Sequence, residues 1–389
     1  MKIGIMGAPV DSTNLGCMAL SYSLIYNLEQ IEKETGKELQ YIVFDWKYNE
    51  EKMNMIADEL KVERKKISFA PYVMMVDPLR VAYHTIDFIR MIREIRTCDC
   101  VIDVTEGDSF SDIYGDAWFR GRTRVKKLIE RLGVPLILAP QTYGPYQAEK
   151  NRKMAIKAIR GAAAVFTRDT QSREWIRETA GVEAVYTTDL AFSLPHRTDE
   201  VKGSDKTKIG LNASNLLYFS TEMKDRKFTL ATDYAAYIDG LMKHFMEKGE
   251  YEVYLISHVS GDYEVHKILH EKYPETHLVP NFQNPIEAKN LIRTMDAFIG
   301  ARMHGTIAAF TTGVACIPTS YSPKFANLFS SIGYLADVDL CKLSTEEALK
   351  RTAEYISGYR KLQGEISECL QKNRELMDKF KTEMQKRVN

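Results

Sequence analysis

The 389-residue chain carries 53 Lys and Arg against 53 Asp and Glu, so its formal net charge is zero, with 44% hydrophobic and 27% charged residues. That length exceeds one ordinary hydrophobic core, so two domains are expected. The balanced charge excludes a global field for nucleic acid, so an anion site has to be built locally.

The opening MKIGIMGAP reads as a buried strand entering a Gly-containing turn, not as a leader peptide. No apolar run is long enough to span a bilayer. Strand patterns continue with YIVFDW, CVIDV, PLILAP, AVFTR and AVYTT, and helical patterns cover Leu20–Thr35, Thr85–Arg96, Ala117–Leu132 and Asn151–Arg160. The polar stretch Pro195–Lys208 reads as a linker. Alternation then restarts with KIGLN, a helix over Asp233–Lys248, YEVYLIS, helices near Tyr263–Lys272 and Pro285–Thr294, DAFIG, a helix from Met303, and VACIPTSY.

Two similar α/β halves are therefore expected: Rossmann-like domains facing across a cleft, in a GT-B-like layout. Residues 1–197 form the first and 206–345 the second. Residues 346–389 are helices that pack back on the first, with an apolar stripe of Leu362, Ile366, Leu370, Met377, Phe380 and Met384. The six cysteines are scattered, and Cys98-x-Cys100 lacks a second pair for zinc, so reduced thiols and a cytoplasmic location are expected. No metal and no cofactor is called for.

Chemistry concentrates where strands end. After DAFIG, Arg302, Met303, His304 and Gly305 enter a helix N-terminus, where open backbone N–H groups favour an anion. Arg302 adds a planar fork, His304 can exchange a proton near neutrality, and Gly305 lets a ligand approach the backbone. Lys324 follows the next strand. Glu106, Asp108, Ser109 and Asp112 mass in one loop that suits sugar hydroxyls, and Asp11, Ser12 and Asn14 lie in the first loop. Any one of these carboxylates is more commonly a turn former or helix cap.

The order of motifs resembles the polysaccharide pyruvyl transferases. The chain reads Asn14-Leu15-Gly16-Cys17-Met18-Ala19-Leu20, then Gln141-Thr142-Tyr143-Gly144-Pro145, then Thr167-Arg168-Asp169 with Ser172. Thr188-Asp189-Leu190-Ala191-Phe192 follows, and last comes Arg302-x-His304 with Ser320-Tyr321-Ser322-Pro323-Lys324. Two departures stand out: Thr105-Glu106-Gly107 replaces a Gly-Gly-Gly run, and Cys17 replaces a frequent Asp.

The resemblance implies transfer of pyruvate from phosphoenolpyruvate to two hydroxyls of a sugar, as a ketal. It implies Arg302, Arg168, Gly305 and Lys324 on the donor, and His304, Arg302 and Asp108 in catalysis. Asp11, Asn14, Glu106, Asp108, Ser109, Asp112 and Gln141 would meet the acceptor, with Asp108, Asp112 and Asp189 as candidate bases. The acceptor would be a sugar or lipid-linked oligosaccharide, and the inner face of the membrane is one place where a cytoplasmic enzyme could meet it. Lys150–Arg160 reads first as a solvated helix face with Met154, Ile156 and Ile159 near the core, and as a membrane surface only second; peripheral membrane contact and a homo-oligomer both stay open. A GT-B nucleotide-sugar glycosyltransferase and a non-catalytic glycan-binding protein are the alternatives.

Overall fold

Each short apolar run in the first part of the chain becomes a parallel strand, and each amphipathic run becomes a covering helix. The computed structural model describes residues 1–200, 203–219 and 229–388, apart from the side chains of Pro323, Lys324 and Ala326. In order come β1 (Lys2–Met6), α1 (Leu15–Thr35), β2 (Gln40–Asp45), α2 (Glu50–Leu60), β3 (Ile67–Pro71), α3 (Pro78–Tyr83), α4 (Thr85–Thr97) and β4 (Cys100–Asp103). Then follow α5 (Asp116–Arg131), β5 (Leu136–Gln141), α6 (Glu149–Gly161), β6 (Ala164–Thr167), α7 (Thr170–Ala180) and β7 (Val185–Tyr186). The seven strands form one parallel sheet in the order β3-β2-β1-β4-β5-β6-β7. The chain reverses its direction of growth at β1 and β4, the switch point where such sheets bind ligands.

The second sheet repeats the design. Its elements are β8 (Thr207–Asn212), α8 (Asn215–Tyr218), α9 (Tyr234–Lys248), β9 (Tyr251–Leu255), α10 (Asp262–Lys272), β10 (His277–Leu278), α11 (Pro285–Ile292) and β11 (Ala297–Gly300). Next are α12 (Met303–Thr311), β12 (Ala315–Ser320), α13 (Pro323–Ser331), β13 (Val338–Asp339), α14 (Thr345–Ser357) and α15 (Tyr359–Val388). The order is β10-β9-β8-β11-β12-β13, again parallel, with the switch point at β8 and β11.

Local signals set the helix ends. The Asp169 side chain accepts from Ser172 N at the start of α7, and Gly181 closes that helix in the left-handed conformation. Asp233 and Gly249 do the same for α9. Ser344 and Glu347 form a reciprocal capping box on α14. Several elements have no counterpart in the sequence reading, among them α2, β3, α3, α7 and α13. β3 is an edge strand whose burial is incomplete, so its apolar pattern is diluted.

Two compact units result: residues 1–12, 20–194 and 374–389, and residues 13–19 and 195–373. Against the expected bounds, residues 13–19 lie in the second unit, and of the tail 346–389 only 374–389 lies in the first. Thr13 O accepts from Ser260 N, and Leu15 N donates to His258 O, which ties residues 13–19 to the second unit. The far end of α15 joins the first unit, where the Phe380 ring meets Phe166 edge-on at 5.1 Å.

Candidate active site

In the second unit β11 ends at Gly300, and α12 starts three residues later, at Met303, with Arg302 as its N-cap residue. The Arg302 side chain makes no capping bond to α12. It turns instead to Asp262 at the start of α10: Nε donates to Oδ2 at 3.1 Å and Nη2 to Oδ1 at 2.7 Å. Nη2 also donates to Asn215 Oδ1 at 2.9 Å. Asp262 is fully buried and also accepts from Asn215 N at 3.0 Å. A planar cation held this way has a fixed orientation, and the Nη1 edge is not used by these contacts.

His304 is the second residue of α12, and its imidazole lies against the backbone of Gly16. A Cβ at residue 16 would fall 2.3 Å from His304 Nδ1 and 2.7 Å from Cγ, so no larger residue fits without moving the ring. Asn14 caps this turn from its side chain, whose Oδ1 accepts from Gly16 N at 2.9 Å. Gly305 packs on Phe298, and a Cβ there would also lie 3.6 Å from His258 Cγ.

His258 is the residue that sequence reasoning missed. It sits just beyond the end of β9, 3% exposed, and neither ring nitrogen has a hydrogen-bond partner. Burial, with His304 and Arg302 nearby, pushes its pKa down to about 3. A buried imidazole without partners is costly unless something else satisfies it. Its signal in the sequence was a histidine in a post-strand loop, four residues before the acid that orients Arg302.

His266 on α10 contrasts with it: Nε2 accepts from Ala213 N at 3.1 Å and Nδ1 faces Ser257 Oγ at 2.9 Å, and burial lowers its pKa to about 4. Both imidazoles are neutral in the fold, whereas in the unfolded chain they protonate near 6.5. Stability from these groups is complete above that value and falls as the pH drops toward about 4 and about 3. The expected loss is on the order of 2 kcal/mol per histidine at about pH 5. Urea melts of wild type and His258→Gln at neutral and acid pH check this: the variant should lose less stability on acidification.

The first unit carries the acidic loop. After β4, Thr105, Glu106 and Gly107 all have positive φ, at 46°, 52° and 81°. This is the backbone that glycine adopts most readily, at the run where the resemblance leads one to expect three glycines. For Thr and Glu such a conformation costs roughly 1–2 kcal/mol each. Polar contacts offset the strain. Lys126, fully buried, donates to Thr105 Oγ1 and pairs with Asp103, both at 2.8 Å. Glu106 pairs with Arg122 at 2.6 Å and accepts from Ser109 Oγ at 3.0 Å.

Between the ends of β1, β2 and β4 these groups line a pocket. Its wall includes Gly7, Asp45, Trp46, Tyr72, Glu106, Arg122 and Lys126.

The remaining expected residues divide by what their side chains already do. Asp108 is partly exposed and accepts from Tyr114 Oη at 2.7 Å. Asp11 is exposed and accepts from Asn49 Nδ2 at 2.8 Å. Asp112 is buried and accepts from Gln147 N, Ala148 N and Asn151 Nδ2, bonds that hold its carboxyl below the usual range. It organises the entry to α6. Gln141 is fully buried and donates to the carbonyls of Asp103 and Ala139.

Arg168 is 2% exposed; its Nε donates to Thr142 Oγ1 at 2.9 Å and its Nη1 pairs with the buried Asp189. Its Nη1 also lies beside Gly107, where a Cβ would come within 2.8 Å of it. Asp189 also caps a short 3-10 turn through Ala191 N. Asn14, expected beside Asp11, belongs to the second unit with His304. Lys324 lies in α13, and its side chain is outside the described residues. Among the described residues, no group of three or more His, Cys, Asp or Glu is placed to hold a metal ion.

Two parallel α/β sheets with polar groups at their switch points define a protein of the GT-B fold class, and solved structures agree. The chain is similar to UDP-GlcNAc 2-epimerase from Neisseria meningitidis bound to UDP-GlcNAc, with TM-score 0.59 and 9% identity over 98% of this chain and 99% of that one. MnaA of S. aureus with UDP gives 0.58 at 12% identity, over 95% and 90%. Alr3699/HepE of Anabaena in complex with UDP and glucose gives 0.53 at 9% identity, over 98% and 100%. At such identities the likeness establishes the fold. The polysaccharide pyruvyl transferase family model matches residues 14–323, and the chain belongs to that family. Among curated proteins, no sequence matches.

Proposed function

We propose that this protein transfers pyruvate from phosphoenolpyruvate to two hydroxyls of a sugar in a cell-surface polysaccharide precursor, forming a cyclic ketal and releasing phosphate. The observation that carries the reading is the group Arg302, His304 and His258 around the N-terminal end of α12. The donor has a carboxylate and a phosphate, and a fixed guanidinium beside open backbone N–H groups suits one of them.

In the reaction the enol methylene gains a proton, the central carbon forms bonds to two sugar oxygens, and its bond to the phosphate oxygen breaks. The two hydroxyls release two protons; one balances the methylene and the other the phosphate. His304 is the group assigned to the first transfer, as acid to the donor. Asp108, partly exposed in the acidic loop of the first unit, is the carboxylate assigned to the acceptor hydroxyls. Glu106, Ser109 and Asp11 accompany it as acceptor contacts.

Calorimetry with phosphoenolpyruvate tests the donor assignment directly. Wild type should bind it, and Arg302→Ala should weaken binding at least about tenfold, the worth of one charge-assisted hydrogen bond or more. Arg302→Lys should also be weak, because a point charge does not reproduce the fork. Heat with UDP-glucose and none with phosphoenolpyruvate would reject the reading in favour of a nucleotide-sugar enzyme.

A further inference from the structure

The first unit exposes an apolar surface that the proposed reaction does not use. Leu79 and Tyr83 on α3 are 82% and 86% exposed, and Ile86 and Ile89 on α4 are 76% and 60% exposed. Among the described residues Tyr83 and Leu79 are the most exposed large hydrophobic side chains. Single exposed apolar residues are ordinary, but four within two consecutive helices form a patch.

The charged residues interleaved with the apolar ones on the outer face of α4 are basic. At 100° per residue, Ile86, Ile89, Arg90 and Arg93 share about 100° of the surface of α4, with Arg96 next to them. All three arginines are exposed, whereas Met91 and Ile95 on the opposite side are buried. The acids nearby are partly engaged: Asp77 caps α3 through Arg80 N at 2.8 Å, and Asp87 lies 3.9 Å from His84 and 4.0 Å from Arg90. Glu94 falls on the flank of the wheel with Asp87.

An aromatic rim continues the surface. The Arg80 guanidinium stands 5.6 Å from the Trp46 ring, which meets Trp118 edge-on at 6.0 Å. Trp46 and Trp118 are 42% and 49% exposed, and Trp46 also lines the pocket beside Glu106. Exposed isoleucine and leucine, interleaved arginine and a tryptophan–tyrosine rim are the composition of an element that lies in the bilayer interface.

We propose that α3 and α4 dock the protein on a lipid bilayer with anionic headgroups, with Leu79, Tyr83, Ile86 and Ile89 inserted and Arg90, Arg93 and Arg96 on the headgroup phosphates. Docking there brings the Trp46-lined pocket of the same unit to the membrane surface. The basic segment 150–160 fits this role less well. Its exposed positions on α6 are Lys150, Lys153, Lys157 and Arg160, while Ile159 is buried and Met154 and Ile156 are partly buried, so it presents charge without an apolar anchor. The proposal goes beyond the pyruvyl transfer reading and stands without it.

Co-sedimentation of the full chain with vesicles of phosphatidylglycerol and phosphatidylcholine is the test. Wild type should bind them, and bind pure phosphatidylcholine vesicles more weakly. Ile86→Glu/Ile89→Glu should lower partitioning at least about tenfold with an unchanged melting temperature. Arg93→Ala/Arg96→Ala, confined to exposed positions, should reduce binding to the anionic vesicles alone and guards against misfolding of the first variant. Wild type that ignores both vesicles overturns the proposal. So does a wild-type dimer that the Ile86→Glu/Ile89→Glu variant dissociates, because a second copy of the chain would then cover the patch.

Discussion

Replacing His304 by alanine is expected to lower turnover by roughly 10²–10⁴-fold, the usual worth of a positioned acid or base, while changing the melting temperature little. Three features of the second unit support an effect of that size. The imidazole stands in the first turn of α12, beside a cation whose direction is set by Asp262 and Asn215. Its ring lies on Gly16, where a Cβ would come within 2.3 Å of Nδ1. A second, neutral imidazole, His258, is buried close by.

Gly16→Ala separates positioning from general acid chemistry. It keeps the histidine but must displace it, and a displacement near 1 Å is expected to cost on the order of 10²-fold in turnover. Single-turnover phosphate release with saturating donor reads both variants. A loss below tenfold for His304→Ala removes this residue from the mechanism. Full activity in Gly16→Ala shows that the ring position is not critical.

The second large effect is on stability. Asp189→Ala is expected to destabilise the protein by about 3–5 kcal/mol, because it leaves the Arg168 guanidinium buried without its counter-charge. Arg168 is 2% exposed and Asp189 is completely buried, so water cannot replace the missing partner. The same change removes the cap that Ala191 N uses.

Arg168→Met with Asp189→Leu together should cost much less than Asp189→Ala alone, since no unpaired charge stays behind. Urea denaturation of the three proteins gives the comparison. A double variant as unstable as the single one would place the cost in packing and not in charge. Loss of donor binding in the double variant without loss of stability would support Arg168 as a donor anchor.

Much of the architecture was legible from local pattern. KIGIM, PLILAP and DAFIG have the apolar continuity of strands buried on both faces, and Asp233 and Ser344 stand at the starts of helices expected there. The order of motifs carried the family, which residues 14–323 match. Elements with mixed burial, such as β3, carry no such periodic signature.

Site residues were legible as types and not as partners. Arg302 and His304 could be placed at a helix entrance because strand end and helix start are both local. His258 could not, since its significance is that burial leaves both ring nitrogens without partners. In the sequence Asp112 reads as an acceptor contact and Arg168 as a donor anchor; the bonds the fold gives them, at the entry of α6 and to Asp189, join segments far apart in the chain and leave no local signal.

What the sequence by itself determined is the alternation of strand and helix, the positions of the loops that carry chemistry, and the membership of the family. Those follow from hydrophobic period, capping and turn chemistry, which act over a few residues. Only the tertiary structure decided that Asn14 joins His304, that Thr105 and Glu106 adopt left-handed backbone, and that α3 and α4 leave an apolar face in water. Those are outcomes of burial and of hydrogen bonds between segments far apart in the chain, and no local pattern encodes them.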